Sequence, residues 1–341
     1  MNALEAKEFV INDQSYNKIW TDERYNKLVL LGLGGSYAYG TNREGSDIDV
    51  RGIATDYARD ILLGKTFEQI EFGEVDTVIY SMKKMMKLLS DCNPNTIEIL
   101  GLKPEHYIYV SPLGEMILKN KQLFLSKLAF NKFGGYANQQ LRRLENKAAS
   151  KANQSQREKY ILNSIINASH DFKNKYLQYD DDSIKLLIDT AIHEEYDTEI
   201  FVNINLNKYP LRDLNGMLSE MQSIVREYET MGKRNKNAIM HDKIEKHMCH
   251  LVRLYQMAFD ILEKKEIKTY RENDFDLFGR VYAGEFLDEN DQPTEEFKEM
   301  IDLYEQRLKY AYQNTDLPDK PDYDAINELL ISANLDVIEG E

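Results

Sequence analysis

The sequence predicts an α+β protein in which a small β-sheet domain is followed by a mostly helical domain. Three short apolar runs, at roughly 27–33, 48–54 and 75–81, have the length and composition of buried strands. From about residue 113 onward, apolar residues recur instead at the three- and four-residue spacing of helices. Strands followed by a long run of helices are typical of the α+β class.

The composition is that of an ordinary globular protein. Of 341 residues, 30% are charged and 42% are hydrophobic, which is ample for two domains with a sizeable core. No apolar run approaches the roughly 18 residues of a membrane span, and the first residues lack the basic and apolar segments of a secretory signal. We therefore expect a cytoplasmic protein without a membrane partner. Cys92 and Cys249 are expected to be reduced thiols rather than a disulfide or a zinc site.

The chain is strongly acidic. Its formal net charge of -15 opposes long-range attraction to duplex DNA, to RNA and to anionic membranes. A local basic groove remains compatible with this charge. The balance predicts no binding to duplex DNA and favours a small molecule or a protein as partner.

The N-terminal part should contain helices around the three strands. A helix is expected over 5–20, and the stretch 60–72 is expected to be a variable insert between the second and third strands. Ser81 is a suitable N-cap for a helix over 82–91, and a further helix is expected over 96–101, after Asn93-Pro94-Asn95.

The C-terminal part is expected to be helical with few interruptions. Helices are predicted over 113–129, 132–150, 156–178, 183–196, 211–230 and 238–264. A polar loop is predicted at 148–155, a linker at 313–322 and a short terminal helix over 323–334. These patterns divide the chain into an N-terminal β-sheet core (1–112), a helical domain (113–312) and a linker with a terminal helix (313–341).

One stretch carries most of the chemical information. The first apolar run ends in Gly34-Gly35-Ser36, and Asp47-Ile48-Asp49 opens the second run. Because side chains alternate along a strand, Asp47 and Asp49 should point to the same face. Two adjacent carboxylates repel unless a cation lies between them, and Mg²⁺ is the usual solution. A glycine loop allows close backbone approach, and its N–H groups and serine hydroxyl suit phosphate oxygens. The pattern indicates phosphoryl chemistry on a nucleotide.

This stretch has three alternative interpretations. A dinucleotide-binding turn needs a third glycine where this chain has Tyr37, and a helical crossover longer than the ten or so residues after Ser36. A Walker P-loop is excluded, because the chain has no Gly-x-x-x-x-Gly-Lys-[Ser/Thr]. The acids could also be solvated groups on an exposed strand edge.

The run from Gly34 to Asp49 resembles the signature of the DNA polymerase β superfamily of nucleotidyltransferases, which is Gly-Ser followed by Asp-x-Asp. Its longer form, Gly-Gly-Ser-Tyr-Ala-Tyr-Gly-Thr leading to Ser-Asp-Ile-Asp, is similar to the bacterial and phage YcgL-like branch. The resemblance implies a small mixed β-sheet nucleotidyltransferase core. It also implies a third carboxylate on a neighbouring strand, and Asp76, an acid within an apolar alternation, fits that place.

A basic arc borders the apolar face of the helix predicted around 243–262. By itself this arc could be a solvated cationic face that balances nearby acids. The resemblance identifies Lys243, His250 and Arg253 with a downstream motif that closes over the nucleotide phosphates.

The resemblance implies Mg²⁺-dependent transfer of an NMP from an NTP, expected to be ATP, to an acceptor hydroxyl, with release of pyrophosphate. Asp47 and Asp49 would bridge two Mg²⁺ ions, for which Mn²⁺ could substitute, and Asp76 would hold the catalytic ion and accept the proton. Gly35 and Ser36 would bind the outer phosphates. The resemblance does not identify the acceptor, and three classes remain: a protein, a tRNA end and a small molecule. The alternative is a catalytically silent nucleotide-binding sensor or interaction module.

Overall fold

A computed structural model gives the fold of the chain. It describes residues 1–151, 184–190, 198–205, 244–289 and 291–340, together with residues 214, 215, 218 and 222. Contacts divide the chain into two compact units. The first comprises Met1–Gln140, Met248–Phe286 and Glu295–Glu341, and the second comprises Leu141–His247 and Leu287–Thr294.

The first unit is built on a mixed five-stranded sheet. The strands are β1 (Leu28–Leu33), β2 (Val50–Ala54), β3 (Gln69–Phe72), β4 (Thr77–Ser81) and β5 (Tyr107–Val110), in the order β3-β4-β2-β1-β5. Strands β2 and β4 are parallel, and the other neighbouring pairs are antiparallel. With the helices that follow, this sheet confirms the predicted α+β class and mixed sheet.

The two central strands are apolar because both of their faces are covered. Every residue of β1 except Leu28 is buried, as is every residue of β2 except Arg51. Burial of aliphatic side chains at about 25 cal/mol per Å² is the main stabilising term for such a sheet. The central position of β1 and β2 fixes the residues that precede and follow them, and those residues form the site described below.

The N-terminal helices differ in detail from the prediction. The expected helix over 5–20 is divided into α1 (Ala3–Asn12) and α2 (Asn17–Thr21). The division falls at Asp13, which is extended and whose carboxylate accepts a hydrogen bond from the Ser15 N–H at 2.9 Å. Acids that bond the backbone locally favour such caps over helix interiors. The expected insert at 60–72 contains the end of α4 (Ala58–Leu63) and all of β3.

Two short helices follow β4, close to where they were predicted. Ser81 is the N-cap of α5 (Met82–Ser90), and its hydroxyl accepts from the Lys84 N–H at 3.1 Å, as predicted. The next helix begins at Pro94 rather than residue 96, because the Asn93 side chain caps α6 (Pro94–Ile97) and proline suits the first helical position. A 3₁₀ turn, Glu98–Gly101, completes it.

The predicted helix over 113–129 was wrong in its extent. Helix α7 (Pro112–Lys119) ends at Asn120, a 3₁₀ turn covers Lys121–Phe124, and α8 (Leu128–Lys151) begins afterwards. The polar stretch predicted as a loop at 148–155 is helical as far as Lys151. Small alanines and a lysine there are good helix formers even though the stretch is polar.

The prediction of a helix over 183–196 was wrong for the part that the structure describes. Ile184–Thr190 form strand β6, which pairs with β7 (Thr198–Ile204) in an antiparallel hairpin of the second unit. The segment Ile-Lys-Leu-Leu-Ile-Asp-Thr contains three β-branched residues and carries a weak alternation that suits a strand. The helix predicted over 156–178 lies outside the described residues, as do Lys243 and most of 211–230.

Helix α9 (Ile244–Phe259) confirms the described part of the prediction for 238–264 and continues as a π-helix over Asp260–Lys264. Its predicted core face is buried; the residues are Ile244, Met248, Leu251, Tyr255, Ala258 and Leu262. Helices α10 (Phe275–Tyr282), α11 (Glu295–Asn314) and α12 (Tyr323–Gly340) follow, and α12 is longer than the predicted 323–334.

The predicted domain boundaries, 1–112, 113–312 and 313–341, stay a prediction.

Among the described residues, no helix combines the length and the apolarity that crossing a membrane requires.

Candidate active site

The glycine loop after β1 is held against the start of β2. The Gly34 N–H donates to the carbonyl oxygen of Asp49 at 2.8 Å, and Gly35 then begins the five-residue helix α3 (Gly35–Tyr39). Gly35 has φ +52°, a left-handed conformation that disfavours side chains. A Cβ there would lie 1.8 Å from Asp49 Oδ2. Only glycine therefore allows the loop and the Asp49 carboxylate to approach this closely.

Asp49 and Asp76 are brought side by side by the parallel pairing of β2 with β4. Val50 is in register with Thr77, so the acids that precede these two residues are neighbours. The Val50 N–H donates to the Asp76 carbonyl at 3.1 Å. Asp76 does not lie within a strand as predicted: it has φ +40° and ends a 3₁₀ turn before β4. An Asp tolerates this left-handed conformation better than most residues do.

Ionisation of the Asp49 carboxylate is less favourable than that of an ordinary aspartate. Burial, followed by the neighbouring Asp76 carboxylate, raises the pKa of Asp49 to about 6, against an opposing effect of Arg51. Partial burial and a neighbouring carboxylate both disfavour the charged form of an acid and so raise its pKa. A cation bound between the two carboxylates would relieve the repulsion.

The Arg51 guanidinium lies between the two acids. Its Nη2 is 3.7 Å from Asp49 Oδ1, and its Nη1 is 3.9 Å from Asp76 Oδ1. Nη1 also donates to the carbonyl oxygens of Val50 at 3.0 Å and Asp76 at 3.2 Å. Both ion-pair distances are long, so the guanidinium balances the acids electrostatically without a close bidentate pair.

A cavity of about 310 Å³ opens beside Asp49. This volume is at the lower end of the range typical of small-ligand pockets. The lining residues are Gly35, Tyr39, Asp49, Arg51, Val78, Tyr80, Pro94, Asn95, Glu98, His250, Arg253 and Leu254. The cavity thus combines the glycine loop, the two carboxylates of Asp49 and Glu98, and several cationic or hydrogen-bonding groups.

Helix α9 contributes His250 and Arg253 to this cavity. The Arg253 guanidinium carbon lies 3.6 Å from the centre of the Tyr39 ring, a cation–π contact that holds the side chain in place. Its buried Nε has no hydrogen-bond partner within the described part of the chain. Tyr136 packs edge-on against His250, with ring centroids 5.5 Å apart. A fixed guanidinium with spare donor capacity suits a phosphate oxygen.

The structure brings together half of the eight predicted site residues in the cavity: Gly35, Asp49, His250 and Arg253. Asp76 lies beside Asp49 but is not among the lining residues, and its side chain is 58% exposed. Asp47 is exposed, and Ser36, in the first turn of α3, is partly exposed; neither lines the cavity. The assignments of these residues to catalysis, nucleotide binding and metal binding stay predictions.

Three cavity residues were missed as site residues by sequence reasoning: Arg51, Tyr39 and Glu98. Alternation along β2 could have identified Arg51, because it follows Asp47 and Asp49 at the same two-residue spacing. The role of Tyr39 depends on a residue distant in the sequence, because its hydroxyl donates to Glu98 Oε2 at 3.0 Å. Glu98, in the run Ile-Glu-Ile, gives no local signal, because only the packing of α6 places it in the cavity.

The acids fit a divalent cation of the magnesium type. Across the described ranges, no group of three or more His, Cys, Asp or Glu side chains is poised as a complete metal site. Mg²⁺ does not need one, since it keeps several waters and is commonly held by one or two carboxylates together with substrate phosphates. Asp49 and Asp76 supply such a donor set, because they offer only oxygen ligands and their carboxylates repel each other.

Comparison with known proteins supports the sequence resemblance. Residues 11–173, just under half of the chain, match the family RlaP, described as the RNA repair pathway DNA polymerase beta family. This match confirms the resemblance to DNA polymerase β superfamily nucleotidyltransferases, while the YcgL-like branch stays a prediction. An uncharacterized 38.9 kDa protein from the nrdC-mobD intergenic region of Enterobacteria phage T4 is 32% identical over 90 residues. That similarity covers 23% of this chain and 27% of the phage protein. No solved structure gave a significant match.

Proposed function

We propose that the chain, whose residues 11–173 match the RNA repair pathway DNA polymerase beta family, transfers a nucleoside monophosphate from an NTP to an acceptor hydroxyl. Pyrophosphate is the second product. The observation that supports this proposal most is the Asp49–Asp76 pair beside a cavity that also contains Gly35 and Arg253. Phosphoryl transfer uses acids that hold a metal, a glycine that lets phosphate approach the backbone closely, and a guanidinium that neutralises phosphate charge.

The acids would hold two Mg²⁺ ions, with Mn²⁺ as a substitute. Asp49 and Asp76 are neighbours across β2 and β4, and Asp47 precedes Asp49 at the spacing that places both on one face of an extended segment. When bound, the metal would neutralise triphosphate charge and lower the pKa of the attacking hydroxyl. Binding of a cation would also favour the ionised form of Asp49.

The other residues act on the triphosphate directly. Gly35, without a side chain, leaves room for phosphate oxygens next to the Asp49 carboxylate, and Ser36 would add a hydroxyl donor. Arg51, His250 and Arg253 line the cavity and would offset the charge that develops on the leaving pyrophosphate. Lys243 lies outside the described residues, and its predicted role is likewise to offset the charge of the phosphates.

We propose ATP as the donor and the hydroxyl end of an RNA, such as tRNA, as the preferred acceptor. The description of the matching family names an RNA repair pathway, and this supports RNA over a protein or a small molecule. The net charge of -15 predicts that RNA binds through a small local contact rather than a broad basic surface. Duplex DNA is not proposed as a substrate.

The experiment uses the full chain with Mg²⁺ and each of the four NTPs labelled at the α-phosphate. Total tRNA, cell-lysate protein and a no-acceptor control are compared, alongside an Asp47→Ala, Asp49→Ala double variant. We expect label in the RNA with wild type and none with the double variant. Label in protein alone would refute the acceptor assignment. Nucleotide binding by calorimetry without any transfer would favour the silent binding module.

A further inference from the structure

A second carboxylate lies in the same cavity as Asp49. Glu98 begins the 3₁₀ turn after α6, lines the cavity, and is half-buried. The hydroxyl of the buried Tyr39 donates to Glu98 Oε2 at 3.0 Å. Tyr39 is itself fixed by the Arg253 guanidinium 3.6 Å from its ring centre. The Glu98 side chain therefore has a defined position on the cavity wall.

Glu98 is a half-buried acid whose hydrogen-bond donor is the Tyr39 hydroxyl. The ion pairs of the nearby Arg51 are with Asp49 and Asp76 rather than with Glu98. Burial raises the pKa of Glu98, while Arg253, the Tyr39 hydrogen bond and Arg51 act in the opposite direction. Partial burial of a carboxylate has a desolvation cost, which is offset here by one hydrogen bond and by the nearby positive charges of Arg253 and Arg51. Acids of raised pKa in a cleft are typical of proton-transfer groups.

Charged and titratable groups face Glu98 from several elements. They are Tyr39 of α3, Asp49 preceding β2, Arg51 of β2, Tyr80 of β4 and Arg253 of α9. Glu98 thus shares one cavity with Asp49, which is expected to hold the metal, and with Arg51 and Arg253, which are expected to bind the phosphates. In the proposed reaction the acceptor hydroxyl enters this same cavity.

Asp76 is less suited to proton transfer. Its side chain is 58% exposed, pairs with Arg51 at 3.9 Å, and is not among the residues that line the cavity. A general base must lie within hydrogen-bond reach of the proton that it removes. The geometry favours a metal-holding role for Asp76 and leaves the proton to another group.

We infer that Glu98 is the catalytic residue that accepts the proton of the attacking acceptor hydroxyl, an inference that rests on the proposed nucleotidyl transfer. The acceptor oxygen forms a bond to the α-phosphorus as its proton passes to a Glu98 carboxylate oxygen. The bond between the α-phosphorus and the bridging oxygen breaks, and pyrophosphate leaves with that electron pair. The protonated Glu98 then returns its proton to solvent. Tyr39 is the positioning residue that orients the Glu98 carboxylate.

The test compares Glu98→Gln with wild type, using α-labelled ATP, Mg²⁺ and a mixture of total tRNA and cell-lysate protein. We expect the Gln variant to lose about 100-fold or more in transfer rate, as is usual on loss of a general base. Its affinity for a non-transferable ATP analogue and its Mg²⁺ concentration for half-maximal rate should not change. Asp76→Asn should instead shift the Mg²⁺ dependence. Glu105→Gln, an exposed carboxylate outside the cavity, is the matched control.

Each result has a defined meaning. A Glu98→Gln rate within threefold of wild type overturns the inference, as does a rate loss explained by weaker nucleotide binding or by a shifted Mg²⁺ dependence. Should the Gln variant fail to fold, Glu98→Asp decides, because it keeps the carboxylate: a folded Asp variant must be slower than wild type with unchanged nucleotide affinity. Absence of transfer by wild type itself would refute the proposed function, and the inference with it.

Discussion

The contact between Gly35 and Asp49 leads to a sharp prediction for Gly35→Ala. An ordinary contact to a Cβ is at least 3.4 Å, whereas the new Cβ would be 1.8 Å from Asp49 Oδ2. The carboxylate must therefore move by about 1.6 Å, or the loop must open by that amount. Displacement of a catalytic group by about 1 Å can cost roughly 100-fold in rate. We expect the transfer rate of Gly35→Ala to fall by at least that factor.

The effect on stability should be much smaller. Alanine in the left-handed conformation costs about 1–2 kcal/mol, and a carboxylate at the end of a short side chain can rotate away. For a domain of this size the strain corresponds to a fall in Tm of roughly 2–8 °C. Rate is measured with the α-labelled NTP assay, and Tm by circular dichroism.

A matched control separates backbone strain from the clash. Gly64 also has positive φ, +66°, but a Cβ there would have nothing within 4 Å. Gly64→Ala should show a similar fall in Tm and a normal transfer rate. Wild-type activity in Gly35→Ala, or an equal loss of activity in Gly64→Ala, would refute a role for the Gly35–Asp49 contact in catalysis.

Three further predictions concern stability. Because burial and Asp76 raise the pKa of Asp49 to about 6 in the folded state, above its ordinary 3.8, ionised Asp49 destabilises the fold above pH 6 and this penalty disappears toward pH 4. Asp49→Asn should therefore raise the free energy of unfolding at pH 8 by up to about 3 kcal/mol, with little gain at pH 4; urea titrations that show no gain at pH 8 would contradict this. Asp260→Asn breaks a buried pair with Arg271, whose side chains are 4% and 7% exposed, and should cost about 3 kcal/mol in the same titration. The control is Glu115→Gln, which breaks the exposed ion pair with Lys119 and should lower the free energy of unfolding by under about 1 kcal/mol. Equal losses in Asp260→Asn and Glu115→Gln would contradict the difference in burial between the two pairs. Gly52→Ala places a Cβ 2.6 Å from Ile79 Cδ1 in the core and should lower stability by about 1–3 kcal/mol; a cost below 0.5 kcal/mol, measured against Gly73→Ala with its open surroundings, would contradict the packing.

The sequence was most informative where chemistry and local geometry coincide. Gly35 and Asp49 were identified because a glycine loop and alternating acids each leave a local pattern. Ser81 was identified as a helix cap for the same reason. The superfamily assignment followed from these residues before any comparison, and the match over residues 11–173 agrees with it.

Tertiary packing decided the features that were missed. In the sequence Glu98 resembles an ordinary surface acid of a short helix, and only tertiary packing brings it into the cavity and next to Tyr39, 59 residues earlier in the chain. Asp76 was expected inside a strand, but its left-handed backbone ends a turn just before β4. Strand Ile184–Thr190 was predicted as a helix because short apolar runs fit both periods, and pairing with Thr198–Ile204 favours the strand.

The central claim is that the site around Asp49 moves the α-phosphate of an NTP. The most direct measurement compares ATP labelled at the α-phosphate with ATP labelled at the γ-phosphate, each incubated with wild type, Mg²⁺ and total tRNA. Nucleotidyl transfer predicts α-label in the RNA and γ-label released as pyrophosphate in equal amount. Appearance of the γ-label in the product would indicate a kinase, and label in neither product would contradict the assignment of this site to nucleotidyl transfer.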